Sequence, residues 1–400
     1  MKILFLCNKS PYPPKEGGPI AMNANIEGLL NAGHQVKVLA LNTNKYFIEK
    51  KQIPEEYQEK TNIEFIYKDL SLKPFDAVLN LFSKKSYHVE RFISKEFEKK
   101  ITEILGRDEY DIVQLEMLYM TPYLHVIRKN SKAKIILRAH NIEHLIWDRI
   151  TYTAKNPLKK LYLGYLTRKL KNYELSCLNH FNGIATISKK DADYFKSNGC
   201  RVPVTDIPFG LDVSNYKIEK TGYEFPSLFH LGSMNWMPNE EGIKWFLDNA
   251  WSLIHRKFPN LKFYLAGRMM PEWLQNLDLP NVEVLGEVPD AGEFINSKAV
   301  MIVPLFSGSG IRIKIIEGMA LSKTIISTDI GAEGIDFTDG KNILIANTPE
   351  EFLKAVEKCN GSKQFCEEVG NNARKLIENK HNLDSITKKL EGFYKTILEN

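Results

Sequence analysis

The segment Ser307-Gly308-Ser309-Gly310-Ile311-Arg312-Ile313-Lys314-Ile315-Ile316-Glu317 brings two glycines, two cations and a carboxylate together directly after an apolar run. That combination suits a diphosphate. Gly308 and Gly310 permit close backbone approach, Ser309 is placed to cap a helix or donate to a phosphate oxygen, and Arg312 and Lys314 bring positive charge to the helix end that already favours anions. If the helix begins near Gly310, Glu317 returns to nearly the same face roughly 10 Å along the axis, the span from a diphosphate to a ribose. A carboxylate there accepts from both ribose hydroxyls. A helix start as late as Lys314 leaves Arg312 on the loop. The plainer alternative is a buried strand followed by an amphipathic helix with its charges in solvent; two glycines beside two cations weigh against it.

Three other segments carry groups capable of chemistry. Lys15-Glu16-Gly17-Gly18-Pro19 lies between a strand and a helix, where Gly17 and Gly18 let backbone N–H groups approach an anion. It lacks G-x-G-x-x-G, and the next strand ends Leu41-Asn42-Thr43 without an acid for a nicotinamide ribose, so a dinucleotide oxidoreductase is disfavoured. His140, at the carboxyl end of the strand in Leu137-Arg138-Ala139-His140-Asn141-Ile142-Glu143-His144, is a candidate catalytic or substrate-holding residue. The same residues spell H-x-x-E-H, the inverted zinc-peptidase pattern. Zinc histidines four apart need a helix, whereas His140 belongs to the turn before one, so a zinc metallopeptidase is kept only as an alternative. Asp191-Ala192-Asp193 follows a strand and reads as solvated helix surface. Arg268, after another strand, is a further candidate for the nucleotide.

The elements that must position these groups alternate. Apolar runs at Ile3 to Cys7, Gln35 to Leu41, Ile63 to Tyr67, Asp111 to Leu115, Lys134 to Ala139 and Gly183 to Ile187 are separated by helical stretches near residues 20–31, 88–105 and 158–173. A second series, at Leu228 to Leu231, Leu261 to Ala266, Val282 to Leu285, Ala299 to Pro304, Thr324 to Ser327 and Asn342 to Ile345, repeats the pattern around helices that include Asn239 to Lys257. The expectation is α/β: two tandem Rossmann-like, doubly wound domains facing a cleft, at 1–205 and 206–375. Residues 376–400 form a helix packing back on the first domain.

With 43% hydrophobic and 26% charged residues the chain is globular, and a net charge of +5 over 400 residues does not call for a nucleic-acid partner. Five scattered cysteines without a C-x-x-C pair fit neither a disulfide framework nor a zinc ribbon. That cysteine usage fits a reducing cytoplasm; the apolar run Ile3 to Cys7 is too short for a signal peptide and no run approaches a membrane span, so a soluble chain is expected. Residues 155–171 hold six cations (Lys155, Lys159, Lys160, Arg168, Lys169, Lys171) and no acid, interleaved with Leu158, Leu161, Tyr162, Tyr165 and Leu166 at helical spacing. Such a helix suits an anionic membrane face or a lipid-diphosphate acceptor; an apolar stripe packed on the protein, with charges in water, is the simpler account.

Taken together, the tandem α/β domains, Gly17-Gly18, His140, Ala185-Thr186-Ile187-Ser188, Pro208-Phe209-Gly210-Leu211-Asp212, Gly232 to Asn239 and Gly310 to Ala320 resemble glycosyltransferase family 4, of the GT-B fold. The resemblance implies a retaining, metal-independent transferase without a resident cofactor. It would move a sugar from a UDP- or GDP-type donor to a glycan or lipid-linked acceptor, in cell-surface polysaccharide synthesis at the inner membrane face. In this resemblance the family's paired glutamates fall at Ser309 and Glu317, and its phosphate-clamping Arg and Lys fall near Ser233 and Glu241. Arg312 and Lys314 are the candidate replacements. A non-catalytic nucleotide-sugar-binding protein and a sugar-nucleotide epimerase share the same expected fold.

Overall fold

In the computed structural model, the alternating runs become two parallel sheets in two compact units, Met1–Gly210 with Leu383–Asn400, and Leu211–Asn382. The structure describes the chain apart from residues 15–16, 72–79, 81–82, 84, 155, 220–221, 309 and 400, and apart from the side chain of Thr153. The expected divisions at 205 and 375 move for local reasons. A seventh strand at Val204–Asp206, which the sequence reading did not identify, pairs with Gly183–Thr186, and Ile207 N donates to Thr186 O at 2.8 Å, so the first sheet continues past 205. The helix Lys363–Lys380 stays in the second unit, where Thr324 Oγ1 donates to Cys366 O at 2.7 Å and Gly370 lies so close to the Ser322 carbonyl that a Cβ would stand 2.0 Å from its oxygen.

The first sheet contains β1 (Lys2–Cys7), β2 (Gln35–Thr43), β3 (Glu64–Lys68), β4 (Ile112–Glu116), β5 (Lys134–Ala139), β6 (Gly183–Thr186) and β7 (Val204–Asp206), in the order β3-β2-β1-β4-β5-β6-β7. Side-chain alternation assigns its two faces. Leu4 and Leu6 enter one cluster with Phe97 and Ile101, whereas Ile3, Phe5 and Cys7 enter another with Met22, Ile26, Leu390 and Tyr394. Burial on both faces explains why the strands are nearly continuous apolar runs. The helix Leu383–Glu399 covers the second face closely: a Cβ on Gly183 would lie 2.7 Å from Phe393.

The second sheet contains β8 (Ser227–Leu231), β9 (Lys262–Ala266), β10 (Val282–Gly286), β11 (Val300–Val303), β12 (Thr324–Ser327) and β13 (Leu344–Ile345), in the order β10-β9-β8-β11-β12-β13. Every pairing in both sheets is parallel. In each sheet the strand order reverses between the first and fourth strands, β1/β4 and β8/β11. The loops beyond the carboxyl ends of such a pair enclose the crevice where α/β sheets take ligands.

Two helical expectations change. Residues 88–105 form two helices, Tyr87–Glu90 and Lys95–Arg107, because Ser94 caps the second by accepting from Phe97 N. The helix Pro157–Cys177 buries Leu163, Leu166 and Leu170, but leaves Leu158 and Leu161 exposed. Among the described residues no helix is long and apolar enough to cross a membrane, and the five cysteines are free thiols.

Candidate functional site

In the second unit, the loops after β8 and β11 flank the reversal point. The β11 loop turns through two left-handed glycines, Gly308 at φ 92° and Gly310 at φ 79°. It enters a helix at Ile313–Ala320 whose N-cap position is Arg312. Of the two starts the sequence left open, the one near Gly310 is too early, and with it the Gly310-to-Glu317 spacing drawn along one helix; the later one, with Arg312 on the loop, lies within a residue of the observed start. Ser309 lies outside the described residues.

Arg312 is buried, 4% exposed. Its Nη1 donates to Gly310 O and its Nη2 to Ile330 O at 3.5 Å, while the guanidinium stands 5.4 Å from the centre of the Trp236 ring. A Cβ on Gly308 would lie 3.0 Å from that ring and 3.3 Å from Arg312 Nη2, so close approach requires a glycine there. Arg312 thus braces the loop on which it sits. Trp236 roofs it, a role that only strand pairing reveals.

Lys314 points the other way, toward the β8 loop. Its ammonium donates to Asn239 Oδ1 at 2.7 Å and faces His230 Nε2 at 3.4 Å. His230 is fully buried in β8, and its Nδ1–H donates to Ile302 O at 2.8 Å, which leaves the Nε2 lone pair toward Lys314. Burial and the Lys314 charge hold this imidazole well below its usual pKa, hence neutral. Burial, and then the nearby Arg312 charge, push Lys314 down to about 7, with Glu317 opposing. Among the described residues Lys314 forms no ion pair: its partners are a neutral imidazole and an amide. Glu317, one turn on, accepts from Tyr216 Oη at 3.0 Å; burial raises its carboxyl pKa, while Tyr216 and Lys314 pull it down.

The glycines between these strands are set by contact. A Cβ on Gly232 would stand 2.3 Å from Lys314 Nζ, and one on Gly267 would stand 1.8 Å from Gly232 O. Arg268 follows Gly267, and its carbonyl accepts from Met234 N at 2.9 Å, so the structure brings Arg268 to the same sheet end as Lys314. Beside it, beyond β9 and β10, lies a recess of about 720 Å³ lined by Gly267, Met269, Met270, Gln275, Leu285 and Gly286.

In the first unit, His140 follows β5 and is 7% exposed. Its Nε2–H donates to Glu116 Oε2 at 2.5 Å, at the end of β4. Glu116 is fully buried; its other oxygen accepts from Gln114 Nε2 at 2.6 Å, and Gln114 Oε1 accepts from Tyr394 of the last helix. Sequence reasoning singled out His140 but not Glu116, which is brought beside it only by the register of β4 with β5. Gly17 and Gly18 are not loop residues: the helix Gly17–Asn31 already includes them, and a Cβ on Gly18 would lie 3.0 Å from Lys9 Cε. Lys9 is thus a cation at the glycine pair that the motif alone did not reveal.

The zinc arrangement is not built. His144 Nδ1 pairs with Glu174 Oε2 at 2.6 Å and its Nε2 bonds Tyr194 Oη at 2.9 Å. Glu143 accepts from Tyr119 Oη at 2.7 Å, with burial raising its pKa to about 7. Glu174 caps the helix Glu143–Thr153 by accepting from the Glu143 and His144 N–H groups at 2.9 and 3.0 Å. The side chains of His140, Glu143 and His144 therefore have separate partners, and among the described residues no three His, Cys, Asp or Glu gather as metal ligands. Asp193 pairs with Lys189 on an exposed helical turn.

Residues 225–360, most of the second unit, match the family model "Glycosyl transferases group 1". Over 396 residues the chain is 23% identical to an uncharacterized 44.6 kDa protein in the cps region of Klebsiella pneumoniae, covering 96% of this chain and 97% of that one. Over 180 residues, 43% of this chain and 47% of the relative, it is 25% identical to the Staphylococcus aureus capsular polysaccharide biosynthesis glycosyltransferase CapM. The fold is similar to that of Anabaena HepE in complex with UDP (TM-score 0.67, 13% identity, 99% of this chain and 100% of that one). It is also similar to that of Thermosynechococcus elongatus sucrose-phosphate synthase (TM-score 0.71, 13% identity, 100% of both). The family match and the fold neighbours together support a glycosyltransferase of GT-B architecture.

Proposed function

We propose that the protein is a retaining glycosyltransferase of polysaccharide synthesis, with its second unit holding a nucleoside-diphosphate sugar, of UDP or GDP type, for transfer to a glycan or lipid-linked acceptor. One observation carries the donor assignment. Among the described residues Lys314 hydrogen-bonds neutral partners, His230 and Asn239, beside a second cation, at the strand-order reversal of the unit that matches group 1 glycosyl transferases. Two neighbouring cations repel each other, and a diphosphate relieves that repulsion. The glycine-bounded loop supplies backbone N–H groups, Glu317 is assigned to the ribose, and the recess beyond β9 and β10, beside Arg268, is assigned to the base. UDP in HepE and the CapM relationship agree with this class of donor and product.

Cleavage of the bond between the anomeric carbon and the phosphate oxygen sends its electron pair to the diphosphate. Fixed cations and amides stabilise that charge where it develops. In the retaining course, the acceptor oxygen bonds the anomeric carbon on the face the phosphate leaves, and its proton passes to the departing phosphate oxygen. His140, held by Glu116, is assigned to the sugar or acceptor, and Gly17 and Gly18 to the phosphates. The test is a thermal-shift screen of nucleotide sugars, then acceptor-dependent release of the nucleoside diphosphate. Release must disappear in Lys314→Ala and Glu317→Ala variants that still fold. Donor binding without turnover on any glycan or lipid-linked acceptor would reduce the protein to a binding module, and a changed sugar with no transfer would make it an epimerase. Inversion at the anomeric carbon of the product would refute retention.

A further inference from the structure

Tyr216 lies near the start of the second unit, on a segment whose backbone is fixed from two sides. Asp212 builds the turn Val213–Asn215: its carboxylate accepts from Ser214 N at 3.0 Å, Ser214 Oγ at 2.6 Å and Asn215 Nδ2 at 3.1 Å, and Tyr216 N donates to Val213 O at 3.1 Å. Arg374, from the helix Lys363–Lys380, clamps the other side. Its Nη1 donates to Tyr216 O at 3.0 Å and its Nη2 to Val213 O at 3.2 Å, and the same Nη1 bonds the carbonyl of Ala320, the last residue of the helix Ile313–Ala320. One guanidinium therefore ties residues 213–216 to the helix that carries Lys314 and Glu317.

The tyrosine side chain completes that tie, since its Oη donates to Glu317 Oε1 at 3.0 Å. Among the described residues the hydroxyl bonds Glu317 alone, so the oxygen that distinguishes this tyrosine from a phenylalanine acts at that carboxylate. Burial, and then the Glu317 charge, hold the phenol well above its usual pKa, so it remains a donor. Glu317 faces opposing influences: burial favours its neutral acid, while Tyr216 and then Lys314 favour the carboxylate. Only the ionised form accepts from both hydroxyls of a ribose, because a neutral acid spends one oxygen as a donor. A carboxylate offers about four lone-pair sites, so the bond to Tyr216 leaves room for two more. Asp212 is spent on Ser214 and Asn215, and Arg374 on three carbonyls and on Glu378 at 2.7 Å.

We propose that Tyr216 is a positioning residue for ribose recognition: its hydroxyl fixes Glu317 Oε1 so that the carboxylate stands as a double acceptor for the 2′ and 3′ hydroxyls of the donor nucleotide. The inference rests on the assignment of Glu317 to the ribose. Tyr216 acts through Glu317, not on the reacting atoms.

The experiment is calorimetric titration of the full chain with UDP and 2′-deoxy-UDP, and with GDP and 2′-deoxy-GDP, across acid and neutral pH. Each deoxynucleotide keeps the diphosphate, so the ratio of the two affinities cancels the ionisation of Lys314 and reads Glu317. In the parent the ribonucleotide should bind more tightly at neutral pH, and the ratio should decay toward one as acid protonates the carboxylate. In Tyr216→Phe the neutral-pH ratio should fall about fivefold, the worth of one hydrogen bond. Its decay should also move to higher pH, because Glu317 has lost a donor that favours its charge. The melting temperature should stay near that of the parent. A purely structural role would weaken ribo- and deoxynucleotide alike and leave the ratio and its pH profile in place, which overturns the proposal. A ratio lost in Glu317→Ala but unchanged in Tyr216→Phe overturns the role of Tyr216 and spares the ribose assignment. A ratio unchanged in Glu317→Ala overturns the ribose assignment and this inference together, as does binding of neither UDP nor GDP.

Discussion

The ionisation of Lys314 gives the donor assignment a sharp test. With its pKa near 7 in the free protein, half the molecules carry the ammonium at neutral pH and only about 3% do at pH 8.5. A diphosphate selects the charged form, so binding above pH 7 must take up a proton. Affinity should then fall about sixteenfold between pH 7 and 8.5, roughly 1.6 kcal/mol. Calorimetric titration of UDP and GDP, in two buffers of different ionisation heat, should record proton uptake of about one half at pH 7, rising toward one at pH 8.5. Lys314→Arg carries a permanent charge and should flatten the profile to within about twofold. Wild-type affinity independent of pH across this window, or the same slope in the arginine variant, would refute a cation of lowered pKa meeting the phosphates.

Further outcomes follow from contacts. Gly232→Ala, whose Cβ would stand 2.3 Å from Lys314 Nζ, should weaken nucleotide binding with little change in melting temperature. Gly242→Ala, whose Cβ would stand 2.1 Å from the rigid Pro304 carbonyl oxygen, should instead cost about 1–3 kcal/mol in denaturant unfolding. Glu116→Gln exchanges the carboxylate that receives His140 Nε2–H for an amide; turnover should drop about tenfold and its pH profile should shift, while calorimetric donor affinity stays within about twofold. Glu317→Ala should abolish any preference for ribo- over 2′-deoxyribonucleoside diphosphates, measured as a ratio of affinities.

The fold was legible because strands buried on both faces are written as uninterrupted apolar runs, and Leu4 or Val303 needs no context to be recognised as interior. The cluster proposed for the diphosphate stood out because Gly308, Gly310, Arg312 and Lys314 are neighbours in sequence. What the sequence hid was whatever depends on pairing. His230 sits inside an apolar run and becomes a partner of Lys314 only when β8 lies beside β11. Glu116 acquires its role from β5, and Tyr394 reaches Gln114 across 280 positions of chain. The helix start stayed open between Gly310 and Lys314 because Arg312 makes no side-chain cap to announce it. The free turn at Leu158 and Leu161 was misread because helical spacing says which residues share a face, not whether anything covers that face.

The second unit opens and closes at one spot: Leu211 N donates to His381 O at 2.7 Å, and Leu211 bridges Asn382 in parallel. A module whose entry and exit are stapled together can be lifted out of its host chain as a cassette without stretching what remains. Exchange of one contiguous stretch of gene would thus replace the whole unit, while the last helix, translated afterwards, still finds its own seat on the first sheet.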